Sequence, residues 1–299
     1  MCYNRLIQAY FMKDVNAMKE TIAMVALSAV ILLSGCVPRA AETVPTTVSV
    51  ANTAVTSEPV TEPPVITETF PVETETFPSL IDIPPGAHVC RFTSDTTGDY
   101  LDYYLFVPEN AVAGMPLVVF LHGDGEVDKL DSLADYGPAK TLREIYGDDF
   151  PCILLSPCTR TPTWIDGTIP ATLMDLVAHA ADECGADTDR IIITGHSRGA
   201  IGVWYLISKY GDYFSAAVPV SCGANGVLNY ENVSRVPVYA LAGDVGQYEY
   251  LYKRDMENLV LNIQSENGTA VFECLEGCSH VDMVTAAYSE NIIQWMLGQ

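Results

Sequence analysis

From about residue 100 onward, short apolar runs alternate with longer segments whose apolar positions recur at helical spacing. Leu101–Val107 (LDYYLFV), Pro116–Leu121 (PLVVFL), Cys152–Leu155, Arg190–Thr194 (RIIIT), Ala216–Val220, Val236–Leu241 (VPVYAL) and the shorter Ala270–Cys274 read as strands. Their β-branched, nearly continuous hydrophobicity suits a parallel sheet covered on both faces. Between them, Ala171–Cys184 carries Leu173, Leu176, Val177 and Ala180 on one helical face. Ala200–Tyr210, Tyr250–Ile263 and Asn291–Leu297 repeat that pattern. The expectation is an α/β fold: a mostly parallel central sheet with helices on both faces. In such sheets ligands sit at the carboxyl ends of the strands.

The first 80 residues follow neither period. Thr21–Leu33 (TIAMVALSAVILL) is apolar but too short to span a bilayer alone, and Lys13 and Lys19 precede it. It ends in Leu33-Ser34-Gly35-Cys36, which resembles the lipobox of bacterial lipoproteins. The resemblance implies cleavage before Cys36 and a lipid on its thiol; an ordinary secretory signal with an incidental cysteine is the plainer alternative. Residues 37–80 are rich in Thr, Pro, Val and Glu, with TETFP at Thr67–Pro71 and again at Thr74–Pro78. Proline removes donors and fixes φ, so an extended, self-repelling stalk is expected. The organisation is therefore a signal peptide over 1–36, a disordered stalk over 37–80 and a catalytic domain over 81–299, held to a membrane through Cys36 outside the cytoplasm.

Charge narrows the partners. The chain of 299 residues has 15 Lys+Arg against 38 Asp+Glu, a formal net charge of −23. Phosphate binding needs a basic stripe and none is present, so nucleic acid is excluded as a partner. Cys2 and Cys36 apart, seven cysteines remain, an odd number that leaves at least one free thiol. Cys152–Cys158 and Cys274–Cys278 are close enough in sequence to pair, although spacing alone does not establish the geometry. There is no CxxC and the histidines are scattered, so zinc has little support and no cofactor is expected.

The chemistry lies at the strand ends. Gly195-His196-Ser197-Arg198-Gly199 matches G-x-S-x-G directly after the strand IIIT and directly before a helix. A sharp turn in that setting lifts a serine hydroxyl above the sheet, and the flanking glycines let strand and helix approach. A serine nucleophile needs a base from late in the chain. His280, in Gly277-Cys278-Ser279-His280 after the last strand, is the candidate, because His88 and His179 are poorly placed and His122 and His196 belong to other motifs. The base needs an acid to orient it. Asp244 and Glu249 both follow VPVYAL, and Asp244, nearer the strand end, is preferred. Leu121-His122-Gly123-Asp124-Gly125-Glu126 closes the strand PLVVFL with glycines that free the backbone. The N–H groups of Asp124 and Arg198 are the expected oxyanion donors.

The series LHGDGE, DRIIITGHSRGA, GDYFSAAVPVSCG, VPVYALAG and GCSH resembles the α/β-hydrolase superfamily. Within it the resemblance is to the small secreted esterases grouped with the phospholipase/carboxylesterase, polyhydroxyalkanoate-depolymerase and feruloyl-esterase families, over roughly Tyr100–Gln299. It implies Ser197 as nucleophile, His280 as general base and Asp244 as orienting acid, in the chain order Ser, Asp, His. These families usually set the acid three residues beyond the strand-end glycine, where this chain has Gly246, and Glu249 stays open. The implied activity is hydrolysis of carboxylic esters, short acyl or polysaccharide-linked, through an acyl-enzyme. A peptidase related to the prolyl oligopeptidases lacks room for a propeller, and a lipase would need a longer apolar lid. A non-catalytic surface binding protein on the same fold is the reading from another class, favoured by the displaced acid. Trp164 is a candidate sugar platform or a packed loop residue, and Arg198 a partner for a nearby carboxylate or for an anionic substrate group.

Overall fold

The computed structural model describes residues 83–299. The signal peptide, Cys36 and the stalk lie outside the described residues. One eight-stranded sheet runs in the order β1-β2-β4-β3-β5-β6-β7-β8. The strands are β1 Gly86–Thr93, β2 Tyr100–Val107, β3 Leu117–Leu121, β4 Ile153–Cys158, β5 Ile191–His196, β6 Ala216–Val220, β7 Val238–Val245 and β8 Ala270–Ser279. The β1/β2 and β2/β4 pairs are antiparallel, and every neighbour from β4 to β8 is parallel. The helices are α1 Pro138–Tyr146, α2 Ile169–Glu183, α3 Arg198–Tyr210, the short α4 Tyr230–Val233, α5 Gln247–Ser265, the short α6 Met283–Ala286 and α7 Glu290–Leu297.

The continuous apolar strands are buried on both faces, as their composition requires. Along β3 and β5 the side chains part in alternation. Leu117, Val119, Leu121, Ile191 and Ile193 join the core that holds Leu173 of α2 and Val203 and Trp204 of α3. Val118, Phe120 and Ile192 join the opposite core, with Met283, Tyr288 and Ile292. No helix among the described residues is long and apolar enough to cross a membrane.

Four differences from the sequence reading bear on the site. Strand β1, which carries His88, is an edge strand with one face exposed, so its pattern is weakly apolar. Helix α1 opens with Gly137 in the left-handed region (φ 56°) and Pro138, a start that apolar spacing does not register. Strands β7 and β8 both run further than the apolar runs that announced them. Their extra residues, Ala242–Val245 and Leu275–Ser279, are held by pairing with each other, Val245 against Ser279 across an irregularity near Gly243. The seven cysteines of this region are free thiols, so neither close pair forms a disulfide.

Candidate active site

Strand β5 ends at His196 and α3 begins at Arg198, so Ser197 alone makes the turn. Its φ and ψ are 57° and −117°, a conformation that only local close packing sustains in a residue with a Cβ. That packing is visible in the glycines. A Cβ on Gly195 would stand 2.6 Å from the backbone of Gly199, and one on Gly199 would overlap the Leu121 carbonyl. The sequence GHSRG is thus required by the approach of α3 to β3 and β5, and the serine is raised at the strands' carboxyl edge.

His280 follows the last residue of β8. Its Nε2 lies 2.9 Å from Ser197 Oγ, and its Nδ1 lies 2.6 Å from Glu249 Oε1. Glu249 is completely buried. Its Oε2 accepts the Ser221 hydroxyl at 3.1 Å and the Gly243 N–H at 2.6 Å, so each carboxylate oxygen has a partner. Ser221 itself has φ 56° and is buried at the end of β6.

The preferred acid, Asp244, is not brought to His280. Because β7 continues through Val245, Asp244 lies within the strand, and its Oδ1 accepts the Gly277 N–H of β8 at 2.7 Å. The chain then turns at Gly246 (φ 98°) into α5, and the first turn of that helix directs Glu249 back under the imidazole. A signal for this was present. Glu249 shares one helical face with Met256, Val260 and Ile263, all buried, and a lone carboxylate on an apolar stripe demands a partner.

Gly123, Asp124, Ser197 and Arg198 line a cleft of about 840 Å³. Asp124 opens a 3₁₀ turn, Asp124–Glu126, and Arg198 is the first residue of α3. First-turn N–H groups have no intrahelical partner, so both are available to an anion in the cleft. The Arg198 guanidinium pairs with the Asp124 carboxylate at 2.6 Å, so of the two partners open to it the nearby carboxylate is the one it meets.

Two further histidines support the site. His196 Nε2–H donates to the His280 carbonyl at 2.9 Å, its Nδ1 accepts the Tyr136 hydroxyl at 3.4 Å, and its ring packs 4.6 Å from that of His280. Burial pushes its pKa down to about 3, which keeps it neutral. His122 Nδ1–H donates to the Gly123 carbonyl at 2.7 Å and Nε2 accepts the Thr159 N–H at 3.1 Å, with burial lowering its pKa to about 4. Both anchor loops that line the cleft. Trp164 is 2% exposed and donates to the His122 carbonyl at 2.9 Å, so it is a packed loop residue and not a surface platform.

No family model matches the chain. It is 25% identical over 156 residues to a bifunctional acetylxylan esterase/xylanase of Neocallimastix patriciarum, covering 50% of this chain and 22% of that protein. It is 27% identical over 158 residues to feruloyl esterase B of Talaromyces stipitatus, covering 45% of this chain and 42% of that one. The chain thus spans less than half the length of these curated relatives. Among solved structures, a thermostable esterase superposes with a TM-score of 0.63 at 24% identity, over 74% of this chain and 64% of that one. A ferulic acid esterase superposes with a TM-score of 0.53 at 15% identity, over 71% of this chain and 99% of that one. The fold is the α/β-hydrolase fold, and the relatives and neighbours named here are carboxylic ester hydrolases.

Proposed function

We propose that this chain is a serine esterase that cleaves carboxylic esters through an acyl-enzyme. The observation that carries the reading is the unbroken hydrogen-bonded series Ser197–His280–Glu249, whose first two members line the cleft. In it Ser197 is the nucleophile, His280 the general base and Glu249, not Asp244, the orienting acid. Ser197 Oγ attacks the ester carbonyl as its proton passes to His280 Nε2. Glu249 holds Nδ1–H and faces the imidazolium that forms. The carbonyl oxygen becomes an oxyanion between the Asp124 and Arg198 N–H groups, each such donor contributing about 2.7–4 kcal/mol to the transition state. His280 then returns the proton to the leaving alcohol, and water, activated by the same base, clears the acyl group from Ser197. Short acyl esters on a sugar or other bulky alcohol suit the open cleft, and the esterase names among the relatives support that class. With Glu249 on the base, the displaced acid no longer favours a non-catalytic binding protein.

The test is hydrolysis of p-nitrophenyl acetate together with fluorophosphonate labelling. Ser197→Ala is expected to lower kcat by about 10⁴-fold or more, and Glu249→Gln by about 10³-fold, while Asp244→Asn stays within about twofold of wild type. A large loss in Asp244→Asn with little in Glu249→Gln would return the acid to Asp244. A folded wild type that neither turns over nor labels would end the esterase reading.

We place the enzyme outside the cytoplasm, lipid-anchored through Cys36, on the lipobox and the Thr/Pro/Glu-rich stretch after it. Mass spectrometry of the full-length protein from membranes is expected to find diacylglycerol on an N-terminal Cys36. A mature N-terminus elsewhere, with an unmodified Cys36, refutes the anchor.

A further inference from the structure

Exposed apolar side chains gather beside the proposed base. Tyr248 is 67% exposed and Val281, next to His280, is 78% exposed, while Val245, Tyr250 and Leu251 stand open in the same stretch of chain. Tyr248, Tyr252 and Val281 line the cleft. The Tyr248 and Tyr252 rings lie one helical turn apart on α5, with centroids 6.3 Å apart and planes within 20°. The Tyr252 ring stands 5.5 Å from that of His280. The aromatic surface therefore runs outward from the imidazole along α5.

Its side of the cleft identifies what it meets. In ester cleavage the base delivers a proton to the leaving oxygen, so the alcohol departs on the His280 side and the carbonyl oxygen faces the Asp124 and Arg198 N–H groups. Charge narrows the class. Arg198 is paired with Asp124, and Lys140, the other basic residue lining the cleft, lies 4.0 Å from Glu144. Glu126, Asp135 and Asp282 add carboxylates to the lining. Asp282 takes the Ser279 N–H and hydroxyl on Oδ2, leaving Oδ1 as an acceptor. Flat aromatic rings with acceptors beside them suit a neutral ring bearing C–H bonds on its face and hydroxyls at its edge.

We propose that Tyr248 and Tyr252 form a leaving-group subsite that stacks the ring of a neutral sugar alcohol and so determine which esters this chain prefers. The proposal rests on the esterase reading and adds to it the residues that select the alcohol, which that reading does not use. Tyr248 is the outer platform and Tyr252 joins it to the base.

The experiment compares kcat/KM for a monoacetylated methyl xyloside with that for ethyl acetate, in the full-length protein. In wild type the sugar ester is the better substrate. Tyr248→Ala is expected to lower the ratio of the two kcat/KM values by about tenfold, through KM for the sugar ester. Tyr248→Phe keeps the ring and keeps the ratio. Tyr250→Ala, exposed but outside the cleft lining, serves as the control and keeps it too. A Tyr248→Ala ratio equal to that of wild type overturns the subsite. So does a Tyr248-dependent rise in hydrolysis when a long-chain ester forms micelles, which would make the rim a lipid surface. If wild type cleaves the ethyl ester and shows no preference for the sugar ester, the subsite falls and the esterase reading stands. If wild type cleaves neither, both fall.

Discussion

Ser221 holds two features in tension. Its backbone sits in the left-handed region at φ 56°, which costs a residue with a Cβ about 1–2 kcal/mol, and its hydroxyl reaches a completely buried carboxylate. Glycine would relax the backbone but would withdraw one of the donors that hold Glu249 against His280. The two effects separate in a pair of variants. Ser221→Ala and Ser221→Gly are both expected to lose about tenfold in kcat with KM little changed, because both lose the hydroxyl. Ser221→Gly is expected to unfold at higher urea than Ser221→Ala, by about 1 kcal/mol, because only it removes the strain. Activity losses that followed stability and not the missing hydroxyl would show that Ser221 serves the fold alone. At this scale Ser197 and His280, the proposed nucleophile and base, were legible in sequence, since G-x-S-x-G and a late histidine have few competitors. The acid was not. Asp244 and Glu249 are five residues apart, and the choice depends on where a strand stops.

That stopping point belongs to the element. The apolar run VPVYAL predicts the body of β7, and Ala242, Gly243 and Asp244 beyond it are small or polar, so hydropathy does not carry the strand on to Val245. Pairing with β8 extends it, and the same pairing draws Gly277, Cys278 and Ser279 into β8 and leaves His280 at its end. With β7 reaching Val245, the carboxylate beside His280 comes from the helix after it. The turn at Ser197 is the contrasting case, because its glycines are read directly from the sequence and their reason is steric. Gly199→Ala would press a methyl group into the Leu121 carbonyl and push α3 off β3. It is expected to cost about 3 kcal/mol or more in urea unfolding, and to lower kcat as the Arg198 N–H moves with the helix. A variant of wild-type stability would mean that α3 has room to shift.

Over the whole molecule, two buried imidazoles link folding to pH. His122 and His196 each use one ring nitrogen as donor and the other as acceptor, an arrangement that only the neutral ring makes. Burial lowers their pKa values from 6.5 to about 4 and about 3. The unfolded chain takes up these protons first, so stability falls as pH drops below 6.5 and the loss levels off near 4 for His122 and near 3 for His196. Each ring contributes about 1.4 kcal/mol per pH unit within its window. Urea unfolding between pH 7 and 4.5 is expected to show this slope, reduced by about one proton in His122→Gln; an unchanged slope would mean that His122 is protonated in the fold. The same two histidines mark the division between sequence and structure. The sequence by itself determined the layered α/β fold, the serine at its sharp turn and the histidine near the end of the chain, because apolar periodicity, glycine and rare residue types are local properties. Only the tertiary structure decided that Glu249 lies under His280, that Trp164 is packed away and that Tyr248 stands open beside the cleft with Tyr252 half-buried behind it. Burial of a carboxylate or exposure of an aromatic ring is set by what the distant elements β7, β8 and α5 bring together, and no short stretch of chain carries that information.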